Sequence, residues 1–509
     1  MKKFLMGLKG LIVLLLPKKF LMGLGGLLVL LVAVIVGRAY LAGGNQEIVK
    51  VDMPLSITVD AQASAERLGE AIRFKTISSQ QTADDPDSVD YTAFVDFRDW
   101  LAATYPVLHA TAEREVVADY SLLFTWKGSD PSLDPILLMS HIDVVPVIPG
   151  TEELWEEDPF SGKVSDGFIW GRGTIDTKGS LIAMVEAAEL LMATGYTPKR
   201  TIMFAFGHDE EVGGPRGNVA IAKLMEERGT RFYWVADEGG VVSDGLLPGV
   251  EGLAAMIGVA EKGYVTLNLT AHAKGGHSSM PPRETAIGRL VVAIDRLQKT
   301  PFIPKIDGAT EQMVDAITGP SPFKSRLVMA NRWLLDDVLI STLSNSPTSD
   351  AQMRTTIAPT IIDGGTKENV LPPIASAKVN FRVHSRDTIA DVVAHVKKAV
   401  NDPNVDVEIY NDAREPSFVS GTDTDVYTML SNAVVAAFDV KLIAPYLVVG
   451  GTDSRHYSEV ADDIYRIIPI VMGKNDMARF HGTNERITVD NMGRAVEFYG
   501  RLLEAAGNK

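Results

Sequence analysis

The sequence predicts an α/β protein with a mixed, mainly parallel sheet and a second, smaller α+β domain inserted into it. Three observations carry that expectation. From about residue 61, apolar β-rich runs alternate with helical segments. Near Gly263 the order becomes β-α-β-β-α-β, the ferredoxin-like split motif. After Arg414 the first texture resumes to the end of the chain.

Residues 61–74, 180–194 and 218–228 read as helices, and 135–140, 201–206 and 232–236 as buried strands, because their apolar runs are short and β-rich. In the second texture, 264–271 alternates like a half-buried strand and 285–298 reads as a helix. Strands follow at 353–362 and 375–383, then a helix at 388–400 and a strand at 405–410. Residues 300–350 interrupt this order with a mostly helical insert. The expected division is 1–42 as an N-terminal membrane segment, 43–60 as a tether, 61–262 and 414–509 as two parts of one domain, and 263–413 as the inserted domain.

Composition narrows the function. The chain has 509 residues, 46% hydrophobic and 22% charged, which is ordinary globular usage and excludes a disordered or multi-span membrane protein. The net charge is −16, yet residues 1–44 carry six cations and no acid, leaving −22 on the rest. Such an acidic body argues against nucleic-acid binding by charge. Cysteine is absent, so disulfides, thiolate nucleophiles and Cys-ligated zinc are excluded together. Any metal site must use His, Asp and Glu.

Residues 20–36 are apolar and uncharged, at the short end of a membrane span, with Lys18 and Lys19 just before them. The positive-inside tendency then places the N-terminus in the cytoplasm and the body outside, periplasmic or extracellular. A cleaved signal peptide giving a secreted form is the rival reading, with a poor small-x-small site at its exit. KKFLMGLKGLIVLLL at 2–16 recurs as KKFLMGLGGLLVLLV at 18–32, a tandem duplication to which no function is attached.

Three apolar strands run into metal-capable side chains. One leads to His141-Ile142-Asp143, one to His208-Asp209-Glu210-Glu211 with Gly213-Gly214, and one to Asp237-Glu238-Gly239-Gly240. Between the first two, a Gly-rich loop from Gly171 to Gly179 carries Asp176 and opens a helix. Phe480-His481-Gly482-Thr483-Asn484-Glu485 follows near the C-terminus. Ligands of open α/β sheets bind outside the carboxyl ends of the strands, where these clusters fall. Singly, each is an ordinary structural residue. Asp176 fits a helix cap, and Glu210 and Glu211 a solvated turn. Their coincidence at several junctions, beside Gly-Gly pairs that admit close backbone approach, points to a site for Zn²⁺, Mn²⁺ or Co²⁺. No phosphate-binding loop, nucleophile elbow or H-E-x-x-H is present.

SHIDVVP, WEEDPFSG, GRGTIDTKG, HDEEVGG, DEGG, GGHSSMP, NVLPP, GGTDSR and FHGTNERI occur in the order seen in one family. The chain resembles, from about residue 61 to 505, the dinuclear-zinc amidohydrolases of the aminoacylase, glutamate carboxypeptidase and carboxypeptidase S type. The stretch from GGTDSR to FHGTNERI is most similar to the carboxypeptidase S and N-fatty-acyl-amino acid synthase/hydrolase branch.

The resemblance implies a zinc-peptidase-like catalytic domain with an inserted lid and dimerisation domain, and two divalent ions. It implies His141 and Asp237 on one ion, Glu211 and His481 on the other, and Asp176 bridging. Glu210 would be the general base, and Asp143 would fix the tautomer of His141. His277 would help polarise the scissile carbonyl, reaching a neighbouring subunit's site in a homodimer. Asn369, Arg382 and Arg414 would hold the substrate carboxylate, Arg414 on the loosest alignment. Gly450, Gly451 and Thr452 would line the pocket. His208 is a rival ligand, set aside because four terminal ligands and a bridge already complete the set.

The expected function is metal-dependent hydrolysis of an amide bond next to a free carboxylate, in a small peptide or an N-acyl amino acid. A dipeptidase or a biosynthetic deacylase is the alternative within the class, and a metal-dependent binding protein without catalysis the alternative outside it.

Overall fold

The computed structural model describes residues 18–43, 51–247 and 249–508. The first copy of the N-terminal repeat and part of the expected tether lie outside those residues.

A large sheet is built from eight strands. They are β1 (Glu113–Val117), β2 (Ser121–Trp126), β3 (Ile136–His141), β4 (Ile202–Gly207), β5 (Trp234–Asp244), β6 (Leu253–Glu261), and, after the insertion, β11 (Leu442–Val448) and β12 (Ile464–Gly473). Their order is β1-β2-β4-β3-β5-β12-β6-β11. The pairs β4–β3, β3–β5, β5–β12 and β6–β11 are parallel, and β1–β2 and β2–β4 antiparallel. Every residue of β3 and β4 is buried, as their unbroken apolar runs require when both faces are covered.

On one face pack α2 (Ala61–Ile72), α3 (Lys178–Ala193), α11 (Asp425–Phe438) and α12 (Val489–Asn508). Most of α3 is buried, because it lies between sheet and helices and has no solvated side. On the other face α4 (Asn218–Glu227) packs with Phe232, Tyr457 and Ile464. Residues 51–59, expected as tether, lie against this body: Val51, Met53, Ile57 and Val59 pack on its core, and Arg501 Nε donates to the Met53 carbonyl at 3.0 Å.

The inserted sheet holds β7 (Gly263–His272), β8 (Thr356–Asp363), β9 (Ile374–Val383) and β10 (Val405–Arg414), in the antiparallel order β8-β9-β7-β10. This is the strand order of the ferredoxin-like motif. Burial alternates along β9, so Ala375, Ala377, Val379, Phe381 and Val383 face a separate core with α5 (Ala286–Gln298) and α10 (Ile389–Val400). The strand expected at 353–362 starts later. Pro347 opens a short helix, α9 (Pro347–Met353), which ends on the fully buried Met353.

The 300–350 insert forms α6 (Gly308–Thr318), α7 (Phe323–Met329), α8 (Arg332–Leu343) and α9. Its apolar side packs on the large sheet: Ile306, Met313, Val314 and Ile317 join Ala254, Met256, Leu442 and Ala444. The edge strand β11 is thereby covered. The N-terminal helix α1 (Lys18–Ala42) passes Gly37 unbroken and rests its C-terminal end on α7. Its Met22–Ala42 portion has 21 residues and mean hydropathy 2.3, long and apolar enough to cross a membrane.

Candidate metal centre

His141 is the last residue of β3, and its position follows from the strand running out at the sheet's carboxyl edge. Asp176 sits in the loop that opens α3. Glu210 and Glu211 lie in a single helical turn after β4, and His481 in the loop before the Arg486–Thr488 strand. Asp176 directs one oxygen to each of two imidazoles: Oδ1 is 3.1 Å from His141 Nε2, and Oδ2 is 2.6 Å from His481 Nε2. Glu211 Oε2 stands 3.3 Å from the same His481 nitrogen. Donor atoms of His141, Asp176 and Glu211 all lie within 4.8 Å of one another, and so do those of His141, Glu210 and Glu238.

Asp237, expected as the fourth terminal ligand, is in neither group. The strand does not end before it, as the sequence suggested, but continues to Asp244. Its carboxylate is taken up by main-chain donors, from Glu238 N at 2.9 Å and Ser454 N at 2.8 Å. The neighbouring Glu238 turns the other way. Its Oε2 is buried without a hydrogen-bond partner and lies 3.8 Å from His141 Nε2. A buried, unpartnered carboxylate oxygen aimed at an imidazole suits a cation ligand. Gly239, at φ +126°, and Gly240 let β5 pass close to its neighbours here, for a Cβ on Gly240 would fall 2.0 Å from the Met256 carbonyl oxygen.

Around the centre, His141 Nδ1 meets the Asp143 carbonyl at 2.8 Å and its carboxylate at 3.3 Å, so main chain and side chain of Asp143 share the orienting role. The Asp143 carboxylate also accepts from Glu210 N and Glu211 N, both at 3.1 Å, which holds the two acids in place. His208 is in neither group of close donors: Ser121 Oγ meets its Nδ1 at 2.6 Å, and Tyr91, Phe94 and Tyr120 box its ring.

Burial pushes the Glu210 and Glu238 carboxyls well above their ordinary range, and Glu211 up to about 7. Burial works the same way on Asp176, but hydrogen bonds from His141 and His481 override it and hold that group low. The bond to Asp176, then that to Glu211, raises His481 to about 10. Carboxylates crowded around one buried imidazole, His141, and one half-exposed imidazole, His481, are what bound divalent cations would neutralise. The donor set, oxygen and imidazole without sulfur, fits Zn²⁺, Co²⁺ or Mn²⁺. His141 belongs to both groups of close donors, with Asp176 and Glu211 in one and Glu210 and Glu238 in the other, and His481 meets Asp176 and Glu211.

The remaining predicted residues fall into two places. Arg382 and Arg414 both pair with Tyr264 in the inserted sheet, and Arg382 lies over the Tyr264 ring at 5.0 Å. Arg414 reaches the turn that follows Glu210 and Glu211, since a Cβ on Gly213 would fall 2.4 Å from its Nη2. Arg455, not selected from the sequence, donates to the Gly213 carbonyl at 2.9 Å. Gly213 has φ +98°, so two guanidinium groups close on a residue with no side chain, one residue beyond Glu210-Glu211-Val212 and at the end of that turn. Thr452 is tied by its N–H and hydroxyl to Glu261, and Gly450 faces open space. His277 and Asn369 lie elsewhere, together and exposed, on a two-stranded ribbon where Ser278 N donates to the Asn369 carbonyl.

The chain matches Peptidase family M20/M25/M40 over residues 137–505. It is 39% identical over 443 residues to "Probable carboxypeptidase S-like 2" of Dictyostelium discoideum, covering 86% of this chain and 84% of that protein. It is 38% identical to "N-fatty-acyl-amino acid synthase/hydrolase PM20D1" of Xenopus tropicalis, covering 86% and 85%. Among solved structures, an M20 family metallo-carboxypeptidase, Sso-CP2 from Sulfolobus solfataricus, shares the fold with a TM-score of 0.62 at 17% identity, over 87% of this chain and 99% of that one. Sequence match and architecture agree, and the chain belongs to peptidase family M20/M25/M40.

Proposed function

We propose that the chain hydrolyses an amide bond next to a free α-carboxylate, in a small peptide or an N-acyl amino acid, using two divalent ions, with zinc the leading candidate. The observation that carries this is Asp176 offering one oxygen to each of two histidines, with Glu211 and Glu238 completing the two sides. Ions bound there would polarise the scissile carbonyl and acidify a water. Glu210 takes the proton of that water and passes it to the leaving nitrogen, which suits a buried carboxyl whose affinity for a proton is raised. Arg414 and Arg455 at Gly213, and Arg382 over Tyr264, are the cations that would hold a substrate carboxylate.

The finer assignments also belong to this reading. Glu238 replaces Asp237 as a ligand. α1 anchors the chain in a membrane, with the body outside the cytoplasm. His277 and Asn369, exposed and away from the cluster, serve the neighbouring subunit's centre in a homodimer formed through the inserted domain. Exposed Ile287, Val291 and Val292 on α5 and Ile361 and Ile362 on β8 support such an interface.

The test is to incubate the full chain in detergent with a mixed panel of dipeptides and N-acyl amino acids, and to identify products by mass spectrometry. Release of free amino acids from carboxylate-bearing members, lost after chelation, is the expected result. No turnover with metal present would overturn the reading.

A further inference from the structure

The insert carries apolar surface that its packing on the large sheet leaves open. Phe323 at the start of α7, and Trp333, Leu334 and Val338 on one face of α8, are all exposed. Beside them runs α1, and the two are locked together. Asn331, fully buried, donates to the Ile35 carbonyl at 3.0 Å. Arg38 Nε donates to the Ala330 carbonyl at 3.0 Å, and Ala39 is fully buried. Arg38, Leu41, Ala42, Met329 and Trp333 line one crevice at this junction.

The level of that junction along α1 matters. A hydrocarbon core of about 30 Å takes about 20 helical residues. Counted from Lys19, the last charge before the apolar run, those residues end at Ala39. The contacts at Ile35, Arg38 and Ala39 therefore fall at the outer boundary of a spanning α1. The insert cannot sit far above the bilayer when the helix it grips leaves the bilayer at that point.

We infer that the exposed face of α7 and α8 is a membrane-docking surface, which lays the insert on the outer leaflet beside α1. The inference rests on α1 spanning a bilayer. Trp333 suits the interface, where an amphipathic ring meets headgroups. Asp337 shares the face with Trp333, Leu334 and Val338, so the face belongs at headgroup depth and not in the hydrocarbon. The edge of the large sheet, under the insert, is then held against the membrane, and the centre is carried at a set height instead of swinging on a tether.

The chain has no cysteine, so one introduced thiol labels one place. Leu334→Cys, Leu30→Cys on α1, and Ser132→Cys in the loop after β2, toward the opposite edge of the sheet, are made in the full chain. Each is labelled with a fluorophore, checked for an unchanged thermal melt, and inserted into phosphatidylcholine nanodiscs containing nitroxide lipids. The 334 label should lose emission to headgroup and shallow-chain nitroxides, the 30 label to deeper nitroxides, and the 132 label to neither. Quenching at 30 without quenching at 334 overturns the docking surface and leaves the anchor standing. Absence of quenching at both overturns the anchor as well. A disulfide-linked dimer of unlabelled Leu334→Cys would make this face an interface between copies, and also overturn the proposal.

Discussion

The guanidinium of Arg172 and the carboxylate of Glu485 form a buried ion pair, Nη1 to Oε2 at 2.5 Å, that ties together the two loops supplying Asp176 and His481. Glu485 Oε1 accepts the main-chain N–H groups of Gly173, Ile175 and Asp176 at 2.9 to 3.2 Å. Arg172 Nη2 donates to the carbonyls of His481 and Gly482 at 3.1 and 3.0 Å. Each charged group thus holds the other's loop, and the bridging carboxylate and one imidazole are set against each other by it.

Removing one partner leaves the other charge buried. Glu485→Ala should cost about 3–5 kcal/mol of stability, read from denaturant midpoints, and should lower metal content through the displaced His481 loop. A variant that melts with the wild type and keeps its metal would show the pair to be dispensable.

Glu238→Gln and Asp237→Asn separate the two candidate ligands. Metal analysis should find about half the wild-type content in Glu238→Gln, and the full content in Asp237→Asn, since each ligand of a two-ion centre serves one ion. The reverse pattern would restore Asp237 as the ligand.

Glu210→Gln should keep its metal and lose roughly 10²–10⁴ in kcat, the usual worth of a general base. Loss of metal in place of loss of turnover would mean that Glu210 and Glu211 have exchanged roles.

Arg382→Ala should cost roughly 2–4 kcal/mol in kcat/KM on a substrate with a free carboxylate, and Arg382→Lys less, because the charge stays while the planar fork is lost. An amidated substrate should be poor with the wild type and lose little more in the mutant. Equal losses on acid and amide would confine Arg382 to shaping the inserted sheet over Tyr264.

Metal removal should also change how stability depends on pH. In the metal-free protein burial lifts Glu211 from 4.5 to about 7, and Asp237 from 3.8 to about 6. At these two groups the folded state then binds more protons than the unfolded one between pH 4 and 7, so the stability they contribute falls as pH rises through that window. Melting temperatures of the chelated protein should drop from pH 4.5 to 7, and adding metal at pH 7 should recover the loss. A chelated protein that grows more stable over that range would contradict these environments.

The α/β class, the ferredoxin-like order of the inserted strands and most of the centre were legible in the sequence, because those signals are local. Apolar β-rich runs mark β3 and β4 as buried strands, with His141, Glu210 and Glu211 at their exits, and a Gly-rich loop opening α3 marks Asp176. The Gly213-Gly214 pair announced close approach, and Arg414 supplies it at Gly213 and Asp453 at Gly214. What sequence could not decide was which of two adjacent acids in β5 meets His141. Neighbouring side chains in a strand point to opposite faces, so Asp237 and Glu238 cannot both turn to the imidazole. Ser454, brought from 217 residues away in the chain, occupies one Asp237 oxygen and leaves Glu238 toward the centre. The same holds for the 300–350 insert. Its helices were foreseen, but their seat on β11 and their grip on α1 are contacts across long separations, made only once the sheet has assembled an edge to cover.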